Sequence, residues 1–191
     1  MFENIVKHYK NFPQEGIDFI DVMPFLQNKE VYRSLIKEIG QMVSTPNVAT
    51  MEARGFLFAA PLLTDTEHVH NIVPLRKKGK LPFVEGDLKE VVIMKEYGSD
   101  MLYYRLSDLA ACTPNGDTLE VTLFDDLLAT GGTALGLAQK LNGERVTIDG
   151  KSYTVKVKEF IFLVEITNLP GREVLEPIAP VKSVVKVQED L

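Results

Sequence analysis

The sequence predicts an α/β fold, a mainly parallel sheet with helices on both faces, and three observations support this class. Segments with strand character alternate with segments whose apolar residues recur at helical spacing, as in proteins with parallel sheets. Several of the strands are apolar throughout, which is typical of strands buried on both faces. The length of 191 residues suits one large domain with a substantial core.

Composition and charge exclude several classes of protein. Hydrophobic residues make up 45% and charged residues 25%, an ordinary mix for a folded soluble domain. The net charge of -6 gives no long-range attraction to nucleic acid or anionic membranes, so a phosphate ligand needs a local site. The single cysteine, Cys112, cannot build a disulfide framework and favours a reducing cytoplasm. We expect no signal peptide and no membrane span, because no apolar run is long enough.

The first third of the chain alternates helix and strand signals. A turn signal at residues 12–16 (FPQEG) precedes a short apolar and acidic segment. Apolar residues at helical spacing predict a helix over residues 29–43. Short strands are predicted at residues 47–51 and 71–75. Between them, GFLFAAPLL predicts a buried helix that begins at Gly55.

Residues 77–100 form a long stretch with only one strong strand signal, at residues 91–94 (VVIM). Gly79, Pro82 and Gly86 interrupt the part before it. We expect the remainder to be an exposed, mobile loop or an extended hairpin. Loops of this length in compact domains are usually functional or disordered.

The second half of the chain predicts a strand over residues 118–124, a glycine-containing turn and a helix over residues 134–141. An Asp-Gly pair at residues 149–150 lies between two alternating segments, which predicts a β-hairpin. The apolar run at residues 160–166 predicts a buried strand, and residues 183–188 predict a final short strand.

The most informative segment runs from residue 119 to residue 141, where a strand, a turn and a helix follow one another. Ligands of open α/β sheets bind beyond the carboxyl ends of the strands. A glycine-bearing turn at a helix N-terminus offers unpaired N–H groups and the positive end of the helix dipole, which favours phosphate. Glycines also allow close backbone approach, and threonine hydroxyls add donors. The predicted phosphate residues are Ala129, Thr130, Gly131, Gly132 and Thr133.

Two adjacent acids, Asp125 and Asp126, end the strand before this turn. Carboxylates beside a phosphate can accept hydrogen bonds from vicinal sugar hydroxyls or hold a divalent cation through water. A phosphate site next to a diol site describes a ribose 5-phosphate. The alternative is an ordinary strand-to-helix connection with a polar N-cap, which TGGT alone would favour. A Walker A loop is excluded because no lysine follows the glycines.

The segment VTLFDDLLATGGTA resembles the binding motif for phosphoribosyl pyrophosphate (PRPP) of type I phosphoribosyltransferases, and DDLLATGGT is especially similar to their adenine-specific branch. Other matching pieces occur in the family's order, and the resemblance covers nearly the whole chain. They are FPQEGIDFIDVMPFL, EARGF at 52–56, VPLRKKGKLP at 73–82, EYGSD at 96–100 and VEITNLPGRE at 164–173.

The resemblance implies a type I phosphoribosyltransferase fold in a single domain, residues 1–191. A small hood from about residues 1–28 and 160–180 would cover the base, and a mobile lid loop would span about residues 79–98. The implied reaction transfers the 5-phosphoribosyl group of PRPP to adenine, giving AMP and pyrophosphate in purine salvage. The implied cofactor is Mg²⁺, held mainly by PRPP and water rather than directly by the protein. The resemblance also implies a homodimer.

Positive charge is needed to hold pyrophosphate. Arg54 follows a strand end, and its guanidinium presents paired donors; the alternative, a surface arginine at a helix start, is disfavoured by the helix dipole. The densest basic cluster comprises Arg76, Lys77, Lys78 and Lys80, for which a solvated face is the alternative. The resemblance implies PRPP-binding roles for Arg54, Arg76, Lys77 and Lys80, and it implies that one basic residue of the cluster reaches the neighbouring subunit's site.

A glutamate on a closing lid would serve this chemistry. Loss of pyrophosphate leaves positive charge on the ribose, which water must not capture. The match at EYGSD implies that Glu96 stabilises that charge or takes the purine proton, with Tyr97 beside it. The alternative is an ordinary exposed acid beside a strand tyrosine.

The base-binding residues implied by the resemblance are Asp18, Phe19 and Leu169, with Phe19 and Leu169 on the two sides of the ring. The chain departs from the family's pattern at Ile20, where an arginine is usual, and at Asp18, where an apolar residue is usual. Residues 160–171 contain no lysine or arginine to bind a 6-oxo group, which favours adenine. The Asp18 carboxylate could accept from adenine's amino group or from guanine.

Two other functions are compatible with these motifs. One is a phosphoribosyltransferase that prefers another purine base, which the departures at Asp18 and Ile20 permit. The other is a non-catalytic regulator that uses the fold to sense PRPP or a nucleotide. Glu96 and the basic cluster argue against a sensor, because sensing does not require a lid acid.

Overall fold

The computed structural model describes residues 2–94 and 99–189. Its strands are β1 (Lys7–Lys10), β2 (Asp18–Asp21), β3 (Asn47–Met51), β4 (Asn71–Lys77), β5 (Leu88–Met94), β6 (Ser99–Arg105), β7 (Thr118–Leu128), β8 (Arg145–Ile148), β9 (Lys151–Ile166) and β10 (Val181–Val187). Its helices are α1 (Lys29–Met42), α2 (Arg54–Ala59), α3 (Leu62–Asp65), α4 (Leu106–Ala110), α5 (Gly132–Leu141) and α6 (Gly171–Leu175), with a 3₁₀ helix at Met23–Gln27.

An eight-stranded sheet forms the centre of the molecule, in the order β10-β9-β7-β3-β4-β6-β5 with β8 beside β9. The pairs from β10 to β4 are parallel. The pairs that include β6 or β8 are antiparallel. The predicted α/β class with a mainly parallel sheet is therefore confirmed. The carboxyl ends of β3, β4 and β7 meet at one edge of the sheet, where ligands of open α/β sheets bind.

Buried side chains form two cores, one on each face of the sheet, because successive strand residues point to opposite faces. The first core takes Leu123 of β7 and Leu137 of α5. The second core takes Phe124 of β7 and Ile36 of α1. The helices on both faces that the sequence predicts are present.

Local signals in the sequence locate most of the elements. Asn28 caps α1 by accepting hydrogen bonds from the N–H groups of Glu30 (3.0 Å) and Val31 (3.1 Å). The predicted hairpin around residues 149–150 is β8 and the start of β9. The sequence signals missed α4 and α6, since five residues are too few to show helical periodicity. Within the described ranges, no helix is long and apolar enough to cross a bilayer.

The long stretch after residue 77 contains an extended hairpin, which is one of the two structures expected for it, the other being a mobile loop. Strands β5 and β6 pair in register from Leu88 with Arg105 to Met94 with Ser99. The loop before β5 is tied down: Arg105 donates to the Pro82 carbonyl (3.1 Å), and the Ser107 N–H donates to Asp87 (2.8 Å). A lid over about residues 79–98 stays a prediction.

The N-terminal segment forms a separate two-stranded hairpin of β1 and β2 beside the second core. The side chains of Val6, Ile20 and Phe25 are buried in that core. This packing brings β2 towards the carboxyl edge of the main sheet. That the segment acts as a hood over a base stays a prediction.

Candidate active site

A cleft of about 630 Å³ lies at the carboxyl ends of β3, β4 and β7. A smaller pocket of about 100 Å³ adjoins it, and Asp125 and Thr133 line both spaces. Residues from β5 and β6 close one side of the cleft. The lining residues of the cleft include Glu52, Ala53, Arg54, Lys77, Lys78, Ile93, Asp100, Leu102, Asp125, Asp126 and Thr133.

The smaller pocket is built by the predicted phosphate turn. All five residues, Ala129, Thr130, Gly131, Gly132 and Thr133, line it. Gly131 has a φ of 81°, a left-handed backbone that glycine adopts without strain. Helix α5 begins at Gly132, two residues before the predicted start, so its first N–H groups lie at the pocket. This geometry fits an anion, because the first turn of a helix lacks internal acceptors.

The acidic pair lies within β7, which continues to Leu128 rather than ending at Phe124 as predicted. The Asp126 N–H donates to Asp125 Oδ1 (2.9 Å), and Asp126 Oδ2 lies 2.8 Å from Arg54 Nε. Burial raises the pKa of Asp125 well above its ordinary value, and the charge of Asp126 raises it further. Burial also raises the pKa of Asp126, while Arg54 opposes that shift. The pair therefore favours positive charge in the cleft.

Arg54 connects the acidic pair to the N-terminal hairpin. It opens α2 directly after a cis peptide between Glu52 and Ala53 at the end of β3. Its Nη1 donates to the Ile20 carbonyl (3.5 Å), and its Cζ lies 5.5 Å from the centre of the Phe19 ring. The guanidinium borders the cleft, as a pyrophosphate ligand must.

Gly55 and Glu52 are site residues that the sequence reasoning missed, although both lie in EARGF. A Cβ on Gly55 would lie only 2.5 Å from Thr50 Oγ1, so a larger residue there would displace Thr50, and it would be in ordinary contact with Asp125 Oδ1 at 3.5 Å. Glu52 accepts a hydrogen bond from the Lys77 N–H and pairs with Arg76 (3.0 Å). Burial acts to raise the pKa of Glu52, but these donors lower it more and hold it below its ordinary value. The sequence did contain a signal for Glu52, since this acid lies next to the predicted turn that carries Arg54.

The basic cluster divides between the cleft and the turn beside it. Lys77 and Lys78 line the cleft. Arg76 is instead held by Glu52, lies 5.9 Å from the centre of the Phe56 ring and donates to the Lys80 carbonyl (3.1 Å). The Lys80 side chain is exposed. Arg76 therefore contacts Glu52 and the turn beside the cleft and, unlike Lys77 and Lys78, is not among the residues that line the cleft.

The predicted base-binding residues alternate along β2. The side chain of Asp18 is fully buried, with Oδ2 2.7 Å from His8 Nδ1, and Ile20 is buried in the second core. Phe19 points the other way, towards Arg54, and packs edge-on against Phe12 at 5.3 Å. Both departures from the family's pattern therefore lie on the buried face of the hairpin. Leu169 is half-buried against the second core.

Glu96 and Tyr97 lie outside the described residues, between the ends of β5 and β6. Of the described residues on either side, Ile93 and Asp100 line the cleft. A catalytic role for Glu96 stays a prediction.

No group of three or more histidine, cysteine, aspartate or glutamate side chains suited to a metal ion occurs within residues 2–94 and 99–189. Two neighbouring carboxylates that line an open cleft fit a hydrated Mg²⁺ contacted through water. Asp125 and Asp126 are therefore the residues that would face such an ion.

Comparisons with known proteins agree on one family. No protein-family model matches the chain. The adenine phosphoribosyltransferase of Caldicellulosiruptor bescii is 37% identical over 193 residues, which cover 97% of this chain and 95% of the relative. The crystal structure of the enzyme of that name from Thermoanaerobacter pseudethanolicus superposes with a TM-score of 0.77 at 31% identity, covering 97% and 98% of the two chains. The Saccharomyces cerevisiae adenine phosphoribosyltransferase, solved with an imino-altritol bisphosphate and adenine, superposes with a TM-score of 0.70 at 30% identity, covering 94% of each chain.

Proposed function

The chain belongs to the adenine phosphoribosyltransferase family, and we propose that the cleft and the smaller pocket beside it carry that family's reaction. The reaction joins the 5-phosphoribosyl group of PRPP to adenine and releases pyrophosphate, which forms AMP in purine salvage. One observation supports this assignment above the others. The five residues of the phosphate turn line one pocket, and Asp125 joins that pocket to a cleft bordered by Arg54 and two lysines.

The phosphate turn binds the 5′-phosphate, and Asp125 and Asp126 accept hydrogen bonds from the ribose hydroxyls. The smaller pocket has room for a phosphate but not for a nucleotide, whereas the cleft has room for the sugar and pyrophosphate. A positive charge beside these carboxyls favours their ionised form, as Arg54 does, so the pair and the cation that develops on the ribose stabilise each other.

Pyrophosphate lies against Arg54, Arg76, Lys77 and Lys80. Arg54 borders the cleft already, and its ion pair with Asp126 keeps the guanidinium there before PRPP binds. Arg76 and Lys80 adjoin the same turn through Glu52 and the Arg76–Lys80 hydrogen bond. Mg²⁺, when bound with PRPP, neutralises charge on the departing pyrophosphate.

Displacement at ribose C1′ proceeds through an oxocarbenium-like state. Glu96, in the segment between β5 and β6, acts on the base or on the sugar charge and keeps water away. Adenine binds between Phe19 and Leu169. Since the Asp18 carboxylate is buried against His8, the backbone of this segment provides the acceptor for adenine's amino group.

The enzyme works as a homodimer in the cytoplasm. An apolar loop next to the basic cluster supports the dimer: Phe83 is 60% exposed and Val84 73% exposed, and solvated loops seldom carry adjacent apolar residues. The cytoplasm suits a chain whose single thiol, Cys112, is buried, with a pKa raised to about 12 by burial.

A panel of bases tests this proposal. Specificity constants for adenine, guanine, hypoxanthine and xanthine are compared with saturating PRPP and Mg²⁺, and adenine should lead by about tenfold or more. A lead for guanine or hypoxanthine would support the alternative base preference. Tight PRPP binding without turnover of any base would support the non-catalytic sensor.

A further inference from the structure

Two glycine backbones meet where the phosphate turn touches the start of α6. A Cβ on Gly131 would lie 3.0 Å from the Gly171 carbonyl oxygen and 3.1 Å from its Cα. A Cβ on Gly171 would overlap the carbonyl oxygen of Ala129 and lie 2.7 Å from a methyl carbon of Leu128. The turn therefore rests directly on α6, with no side chain between the two backbones.

Helix α6 cannot set its own position. It has five residues, and its N-cap, Pro170, makes no side-chain capping bond. Helices this short are unstable by themselves and depend on tertiary contacts. Whatever holds α6 in place therefore also holds the surface on which the phosphate turn rests.

Arg172, the residue after Gly171, holds α6 in place. It makes a two-pronged ion pair with Glu165 of β9, with Nε–Oε1 at 2.7 Å and Nη2–Oε2 at 2.6 Å. Its Nη1 also donates to the carbonyl of Val181 at the start of β10 (2.8 Å). Glu165 is only 4% exposed and accepts a further hydrogen bond from Ser183. A paired guanidinium and carboxylate fix orientation as well as distance.

We propose that the Glu165–Arg172 ion pair is a positioning device for the substrate site, which presses Gly171 against the phosphate turn and so keeps its N–H groups aimed at the 5′-phosphate. The inference rests on the proposed function of the turn. Neither residue of the pair touches substrate.

A second buried ion pair on the same two strands provides a matched control. Lys182 of β10 pairs with Glu159 of β9, whose side chain is 3% exposed, and it donates to the Met42 carbonyl (2.8 Å). Glu159 is six residues before Glu165, which is about 20 Å along a strand and away from the carboxyl edge. Loss of either pair should lower stability, but only one of them supports the turn.

The test compares Arg172→Gln, Arg172→Lys and Lys182→Gln. Calorimetric titration with PRPP and Mg²⁺ is done at a temperature where thermal melts show each variant folded. We expect Arg172→Gln to weaken PRPP binding about tenfold, Arg172→Lys to fall between it and the parent, and Lys182→Gln to stay within about twofold. The KM for PRPP should rise more than kcat falls, because the turn binds the phosphate in ground and transition states alike.

Gly171→Ala provides a second route to the same result, since it displaces the turn without removing the ion pair. It should also weaken PRPP binding about tenfold. The proposal is overturned if Arg172→Gln and Gly171→Ala bind PRPP as the parent does, or if Lys182→Gln loses as much affinity as Arg172→Gln. Because PRPP binding is the readout, failure of the parent to use adenine would reject the proposed function and leave this test intact.

Discussion

Asp125 is the residue at which stability and function oppose each other. Its half-buried carboxyl lies beside Asp126, and desolvation together with the charge of that neighbour raises its pKa in the folded chain above its value in the unfolded chain. For such a carboxyl, the folded state is stabilised at low pH and loses that contribution as the pH rises through the unfolded and then the folded pKa. At neutral pH, which is above the ordinary aspartate pKa, the raised pKa of Asp125 therefore lowers the stability of the folded chain.

Asp125→Asn should raise the free energy of unfolding at pH 7, because it removes that loss of stability and its amide oxygen can still accept from the Asp126 N–H. Denaturant melts from pH 3 to pH 8 measure it. The gain should vanish below the ordinary aspartate pKa and grow as the pH rises. Asp117→Asn, which breaks an exposed ion pair with Lys151, is the control and should show no such gain. A variant less stable than the parent at pH 7 would refute the interpretation that the Asp125 carboxyl lowers the stability of the folded chain.

The double variant Asp125→Asn, Asp126→Asn tests the proposed role of this acidic pair in catalysis. It keeps the shape of both side chains and removes both charges. We expect turnover to fall about 10²-fold or more, because the charges stabilise the developing cation. Steady-state kinetics with adenine provide the measurement. Activity within a few-fold of the parent would reduce the pair to a structural feature of β7.

Asp18 tests which part of β2 reads the base. Its side chain is buried against His8 on the face of the hairpin opposite Phe19. Asp18→Asn should therefore leave the ratio of the specificity constants for adenine and guanine within about threefold, less than the loss of one hydrogen bond to a charged group would cause. A larger change in that ratio would show that the carboxylate itself contacts the base.

At the scale of elements, the turn between β7 and α5 decides whether PRPP binds. Gly132 lines the small pocket and begins α5, so a side chain there blocks close approach of the phosphate to the backbone. Gly132→Val should abolish PRPP binding by calorimetry while the far-UV spectrum of the folded protein is kept. Unchanged affinity in the folded variant would refute the assignment of the phosphate site.

At the scale of the whole molecule, the loop that carries Phe83 and Val84 tests the homodimer. Sedimentation should show a particle of twice the chain mass of 21.4 kDa. Phe83→Ser removes the larger exposed apolar side chain and should shift the equilibrium towards the monomer at micromolar concentration. Leu63→Ser, at another exposed apolar residue (45%), is the matched control. A monomeric parent protein would contradict the dimer outright.

Much of this molecule was determined by the sequence alone. The alternation of apolar strands with helical periodicity predicts the mainly parallel sheet, and the glycine turn of residues 129–133 predicts one pocket that the structure does form. These features are local, since periodicity, caps and turn chemistry act within a few residues of the chain. The strand-turn-helix order by itself brings the turn to the carboxyl edge of the sheet.

Only the tertiary structure decided which side chains meet across the chain. It turns Arg76 to Glu52, sets Asp18 against His8, pairs Arg54 with Asp126, and leaves only backbone between Gly131 and Gly171. None of these contacts follows from spacing along the chain, because each partner lies on a different element. The packing of the elements decides which charged side chains face the cleft and which pair with each other beside it. Packing is a property of the folded chain as a whole.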